Sequence, residues 1–137
     1  MKYHFDISAE NPEAAGSASS EIKKTLKSLH IHADAVRRAS IAMYEAEMNM
    51  VVHGGGGTAD VEITDTEIII IMEDQGPGIP DIDAAMEEGF STASPDYLEM
   101  GYGAGMGLSN IKKNTDFMHI DSAAGKGTKL ILRINYK

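Results

Sequence analysis

Residues 67–79 read EIIIIMEDQGPGI, and this stretch frames the rest of the chain. Ile68, Ile69, Ile70, Ile71 and Met72 form an unbroken apolar run, which predicts a strand covered on both faces. Glu73 and Asp74 close the run. Gln75-Gly76-Pro77-Gly78-Ile79 then supplies residues that favour turns.

Upstream, the Asp65-Thr66 turn joins this strand to a second at residues 58–64, and residues 2–7 alternate as a first strand. Asn11-Pro12 offers a cap and a first-turn proline for a helix reaching residue 29, with Ile22, Leu26 and Leu29 on one face. Asp34 is a plausible N-cap for a helix ending at His53, where Gly54, Gly55, Gly56 and Gly57 stop it. Its apolar positions include Val36, Ile41, Met48 and Val52. Downstream, residues 74–100 read as a long connection with a short helix at 83–88, a length that is either functional or disordered. A third main helix is expected at 106–118. Strands at 117–122 and 128–136 then flank a Gly125-Lys126-Gly127 turn.

The 137 residues suffice for one domain, 1–137, with a two-layer core, and the 42% apolar content excludes disorder. There is no cysteine, so thiolate metal sites, disulfides and cysteine nucleophiles are excluded. No stretch is long and apolar enough to cross a membrane, and no signal peptide opens the chain, so a cytoplasmic protein is expected. Twelve basic against twenty-one acidic residues give a net charge of −9, which argues against binding nucleic acid or an anionic membrane. A polyphosphate held by so acidic a chain would need backbone N–H groups and a divalent cation.

Three polar clusters stand out. Glu45, Asn49 and His53, four apart, share one helix face, whereas Glu47 points well away. A carboxylate beside a carboxamide suits Mg²⁺: one can bind the ion while the other positions a water or hydroxyl. The plainer reading is a solvated stripe, with His53 meeting the helix dipole. Asp74, at the end of a core strand, projects where α/β sheets bind ligands and can accept from the amine of adenine. Gly76 and Gly78 would let the backbone pass close to a flat ring, although an ordinary turn needs the same residues. Finally, Gly101, Gly103, Gly105 and Gly107 alternate ahead of Leu108 and a helix, presenting N–H groups to an anion or forming a flexible linker. The spacing fits neither a dinucleotide fingerprint nor a Walker A loop. Eleven of the fourteen glycines fall within 54–107, which concentrates backbone freedom around the three clusters.

In this order the clusters resemble the GHKL superfamily, whose members include gyrase, histidine kinases and MutL. Glu45-x-x-x-Asn49-x-x-x-His53 matches the N-box, and Asp74-x-Gly76-x-Gly78-Ile79 the first glycine box. Gly103-x-Gly105-Met106-Gly107-Leu108 matches the second, and Gly125-Lys126-Gly127-Thr128 the terminal turn. The small size, His53 and the Glu88-Gly89-Phe90-Ser91-Thr92 stretch are similar to the stand-alone anti-sigma-factor serine/threonine kinases. The resemblance implies a Bergerat fold, an α/β (α+β) two-layer sandwich with a mixed sheet and three main helices on one face. It implies that Asn49 binds Mg²⁺, that Glu45 is the general base, and that Asp74 holds the adenine amine with Gly78 beside the ring. Thr128 would join Asp74 through an ordered water. Residues 89–107 would form the lid, with Gly103, Gly105 and Gly107 over the phosphates; His53, Gly76, Ile79, Met106 and Leu108 complete the nucleotide contacts.

The implied activity is transfer of the γ-phosphate of ATP to a small regulatory antagonist protein in a partner-switching circuit. A sigma factor and a second copy of the chain, as a homodimer, are further implied partners. One departure bears on this. Residues 75–111 contain no Lys, Arg or His, so cationic help for a transferring phosphoryl group falls to His53, Lys112, Lys113 or a partner. Two alternatives follow: a module whose lid, set by ATP or ADP, selects a partner without chemistry, or a histidine-kinase-like catalytic domain acting in trans.

Overall fold

The apolar run folds as β3 (Glu67–Asp74), the middle strand of a five-stranded sheet. The structure, a computed structural model, describes residues 1–10, 15–76, 107–122 and 125–137. The other elements are β1 (Lys2–Ser8), α1 (Ser17–Ser28), α2 (Ala33–Val52), β2 (Gly56–Ile63), α3 (Gly107–Lys113), β4 (Phe117–Ser122) and β5 (Thr128–Asn135). The helix start expected at Asn11-Pro12 and the short helix at 83–88 lie outside the described residues.

The strand order is β1-β2-β3-β5-β4, and every pairing is antiparallel. The two-layer α+β class is as expected, but the expected mixed sheet is not found among the described strands. The cause is β5. Strands β3 and β4 run the same way, linked across α3, yet β5 inserts between them and opposes both.

Register builds the core. Ile63, Ile68 and Ile134 align across three strands, as do Val61, Ile70 and Leu132, and Ala59, Met72 and Leu130. All nine are buried, each large one contributing roughly 1.5–3 kcal/mol. Helix α2 crosses this face against β1, β2, β3 and β5, and α1 and α3 pack on α2. The other face corrects the expectation for β3: Ile69 and Ile71 are only half-buried. Ile69 lies between Glu62 and Arg133, and Ile71 between Asp60 and Ile131. Long charged stems can shield isoleucine on such a face, which no second helical layer covers among the described residues.

The buried face of α2 is Ala35, Val36, Ala39, Ala42, Met43, Ala46, Glu47, Met50 and Val51. Met48 is buried as expected, whereas Ile41 and Val52 are partly exposed, because helical spacing puts them opposite the face of Ala39, Ala42, Met43 and Ala46. Its N-cap is His32 rather than Asp34. The His32 ring accepts from the Ala35 N–H at 3.3 Å, and Asp34, inside the first turn, pairs with Arg37 and Arg38. Helix α3 ends at Lys113, not 118, because Phe117 and Met118 pair with Arg133 and Leu132 as the start of β4.

Glu47 is the exception in the α2 face, a carboxylate only 1% exposed. It accepts from the backbone N–H groups of Gly16 at 2.9 Å, Ala18 at 3.3 Å and Ser19 at 3.0 Å. Helix α1 has no side-chain cap of its own and no acidic residue in its first turn, so Glu47 supplies from another helix what an N-cap supplies locally. Glu47→Ala should strand those donors and lower unfolding free energy by about 3 kcal/mol, measured by denaturant titration. Glu47→Gln, which keeps an acceptor oxygen, should lose about half as much. Hydrogen exchange at residues 17–28 should accelerate before exchange in β3 does.

Candidate functional site

Glu45 and Asn49 lie along α2 and His53 caps its C-terminus, all half-buried; Glu47 points away from them as expected, and the structure buries it in the core. Burial raises the Glu45 carboxyl above its ordinary value, and a hydrogen bond from the Asn110 side chain partly offsets that. Asn110 stands in α3, where its carbonyl accepts from the Asn114 amide at 2.8 Å. The helix that follows the second glycine box thus reaches the first cluster through Asn110. Burial lowers the His53 imidazole, which disfavours its charged form. Lys112 and Lys113 are exposed in the last turn of α3.

Asp74 ends β3 and is 8% exposed. Its Oδ1 accepts from the Gly76 N–H at 2.9 Å, and the backbone N–H of Thr128 donates to the same carboxyl. Burial is the largest influence and raises its pKa; these hydrogen bonds oppose it and the nearby Glu73 charge adds to it. Thr128 is the register partner of Asp74 in β5, so it meets Asp74 directly through its main chain. The Thr128 hydroxyl pairs instead with Ser122 Oγ at 3.0 Å. At Gly76 the atoms closest to the place of its missing Cβ belong to Gly54.

The C-terminal end of α2 closes on this strand end. His53 and Gly54 donate their N–H groups to the Asn49 carbonyl at 2.9 and 3.2 Å, and the glycines that follow lead into β2. An open cleft of about 570 Å³ runs alongside, lined by His53, the four glycines, Gln75 and Gly76. Gly107 opens α3, and Leu108 is buried. Gly78, Ile79, Gly103, Gly105, Met106 and the rest of the expected lid lie outside the described residues.

The residues present fit a magnesium–nucleotide complex better than a metal held by protein alone. Among the described residues no three His, Asp or Glu side chains converge on a metal position. Glu45 and Asn49 offer hard oxygens to an ion that takes its other ligands from phosphate and water. Asp74 presents an almost dry acceptor suited to an amine. Sequence reasoning missed Asn110 and Gly54. Asn110 carried no signal, while Gly54 was hidden in a run that helix termination already explained.

Residues 35–137 match the family described as "Histidine kinase-, DNA gyrase B-, and HSP90-like ATPase". The chain is 38% identical over 97 residues to a serine/threonine-protein kinase, RsbT, of Bacillus subtilis, covering 68% of this chain and 67% of that one. It is 34% identical over 142 aligned positions to an anti-sigma F factor of Clostridium acetobutylicum, covering 97% and 91%. A solved mycobacterial sensor histidine kinase, MprB, shares the fold at a TM-score of 0.55 and 17% identity, covering 98% and 97%. The protein therefore belongs to the histidine kinase-, DNA gyrase B- and HSP90-like ATPase family, the GHKL superfamily, and is related there to RsbT and the anti-sigma F factors.

Proposed function

We propose that the protein is a Mg-ATP-dependent serine/threonine kinase of the anti-sigma-factor type, acting on a small antagonist protein. One observation carries this reading: α2 ends against the carboxylate of Asp74 while presenting a second carboxylate, Glu45, half-buried about two turns earlier in the same helix. Asp74 accepts from the adenine amine. Asn49 holds Mg²⁺, which supplies neutralisation of phosphate charge when bound. Gly107, with Gly103 and Gly105, lies over the phosphates. Glu45 takes the proton of the acceptor hydroxyl as that oxygen bonds to the γ-phosphorus and the bond to the β-phosphate oxygen breaks, releasing ADP. The names borne by the relatives, a serine/threonine kinase and anti-sigma F factors, support this choice of acceptor and of circuit.

A second reading rests on the lack of Lys, Arg and His in 75–111, and burial of His53 disfavours its charged form. In that reading nucleotide sets the lid, the lid selects the partner, and no phosphoryl group moves. Glu45→Ala separates the two.

Asp74→Asn should weaken ATP about 10- to 100-fold in calorimetric titration, the value of a hydrogen bond to a charged acceptor. Unchanged affinity would remove the adenine pocket. Glu45→Ala should leave ATP affinity within about threefold and abolish transfer from γ-labelled ATP to a candidate antagonist, read as acid-stable label. An acid-labile product would point to a histidine acceptor, and partner binding that depends on nucleotide in both proteins without label would favour the second reading. Only ionised Glu45 can accept a proton, and burial raises its pKa. The transfer rate should therefore fall on acidification at a pH above the ordinary glutamate value of roughly 4.3.

A further inference from the structure

Gly54 follows His53, the C-cap of α2, where glycine usually stands because the chain turns left-handed. That reason does not apply. Positive φ is found at Gly55 (+73°) and Gly56 (+93°), whereas Gly54 keeps a backbone open to any residue. Space explains its identity instead. A Cβ at Gly54 would lie 2.5 Å from both Cγ and Oδ2 of Asp74 and 2.9 Å from its Cβ. Turning the Asp74 side chain about Cα–Cβ could relieve the first two contacts but not the third, and the Gly76 and Thr128 N–H groups hold the carboxylate where it is. Behind it there is no room either: a Cβ on Gly76 would come within 2.6 Å of Gly54 Cα, and one on Gly127 within 2.2 Å of the Asp74 carbonyl.

We propose that Gly54 is a specificity-determining residue of the nucleotide site, its bare backbone forming the wall that aims the Asp74 carboxylate at the base. The inference rests on the adenine reading of Asp74. A methyl group at position 54 displaces the acceptor from the amine it selects, and leaves the phosphate and metal contacts of Asn49 in place. Gly54 acts through Asp74 and touches no reacting atom, so it is a positioning residue.

The test uses ATP and purine riboside triphosphate, which lacks the 6-amino group, titrated calorimetrically into wild type, Asp74→Asn, Gly54→Ala and Gly55→Ala. A Cβ at Gly55 meets nothing within 4 Å, so that variant controls for stiffening the glycine run. Wild type should prefer ATP by about tenfold or more, as expected for one hydrogen bond to a charged acceptor. In Gly54→Ala that preference should fall to near unity through loss of ATP affinity, with the analogue changed less than about threefold, while Gly55→Ala keeps the preference. A Gly54→Ala protein that loses both ligands equally, or keeps the wild-type preference while Asp74→Asn loses it, overturns the role of Gly54 alone. A wild type that binds both ligands alike, with Asp74→Asn unchanged, overturns the adenine reading and this inference with it. Should Gly54→Ala fail to fold, the wild-type Gly54 amide resonance decides. It should shift further with ATP than with the analogue, and equal shifts overturn the proposal.

Discussion

One buried carboxylate organises the helical layer. Glu47 closes the open end of α1 with three N–H acceptances, and those contacts fix α1 on α2. Because residues two apart point to nearly opposite sides of a helix, burying Glu47 turns Glu45 the other way, towards α3 and Asn110. Two glutamates of one helical turn thereby divide the work. One satisfies backbone donors inside the fold; the other is kept partly dry but accessible, the condition under which a carboxylate becomes a useful base.

The sheet makes an equivalent division at the end of β3. Had β3 paired directly with β4, the main chain beside Asp74 would be different. The insertion of β5 sets Thr128 in register with Asp74, while Gly57 of β2 takes the other side. Three segments far apart in sequence, the end of α2, the end of β3 and the start of β5, then converge on one carboxylate at separations that exclude a Cβ. The wet face tolerates more. Arg133 lies 5.9 Å above the Phe117 ring and pairs with Glu67 at 3.0 Å, surface contacts worth little individually.

Much of this was legible before any coordinates. Each described strand lies within a residue or two of its expected bounds, since alternation and turn residues are local signals. The grouping of Glu45, Asn49 and His53 followed from helical spacing, and Asp74 from its place at a strand end. The misreadings share a cause: they concern which distant element a residue meets. Glu47 occupies the same helical stripe as Met43, Ala46 and Met50, a hint that it was buried, but only the position of α1 explains why burial is tolerated. His32 displaced Asp34 as the cap because the two nearby arginines engage Asp34 instead. The antiparallel order could not be read from a βα-like succession, because the insertion of β5 is a tertiary choice.

The electrostatics of the crevice follow from its dryness. Burial raises Glu45 and Asp74 and lowers His53, so a single cause disfavours charge of either sign. For the two acids the folded pKa lies above the unfolded one. Their contribution to stability is therefore present at low pH and is lost as pH rises through the folded values. Ionising either carboxylate in the fold carries a cost, relieved by an amide and by backbone N–H groups rather than by a neighbouring cation. Such a site gains most from a ligand that brings both a further hydrogen-bond donor for Asp74, beyond the Gly76 and Thr128 N–H groups, and what an acidic chain of net charge −9 does not supply, positive charge for its own phosphates. An adenine nucleotide arriving with its magnesium brings both. A bare polyanion would meet the protein's own field at its most unfavourable.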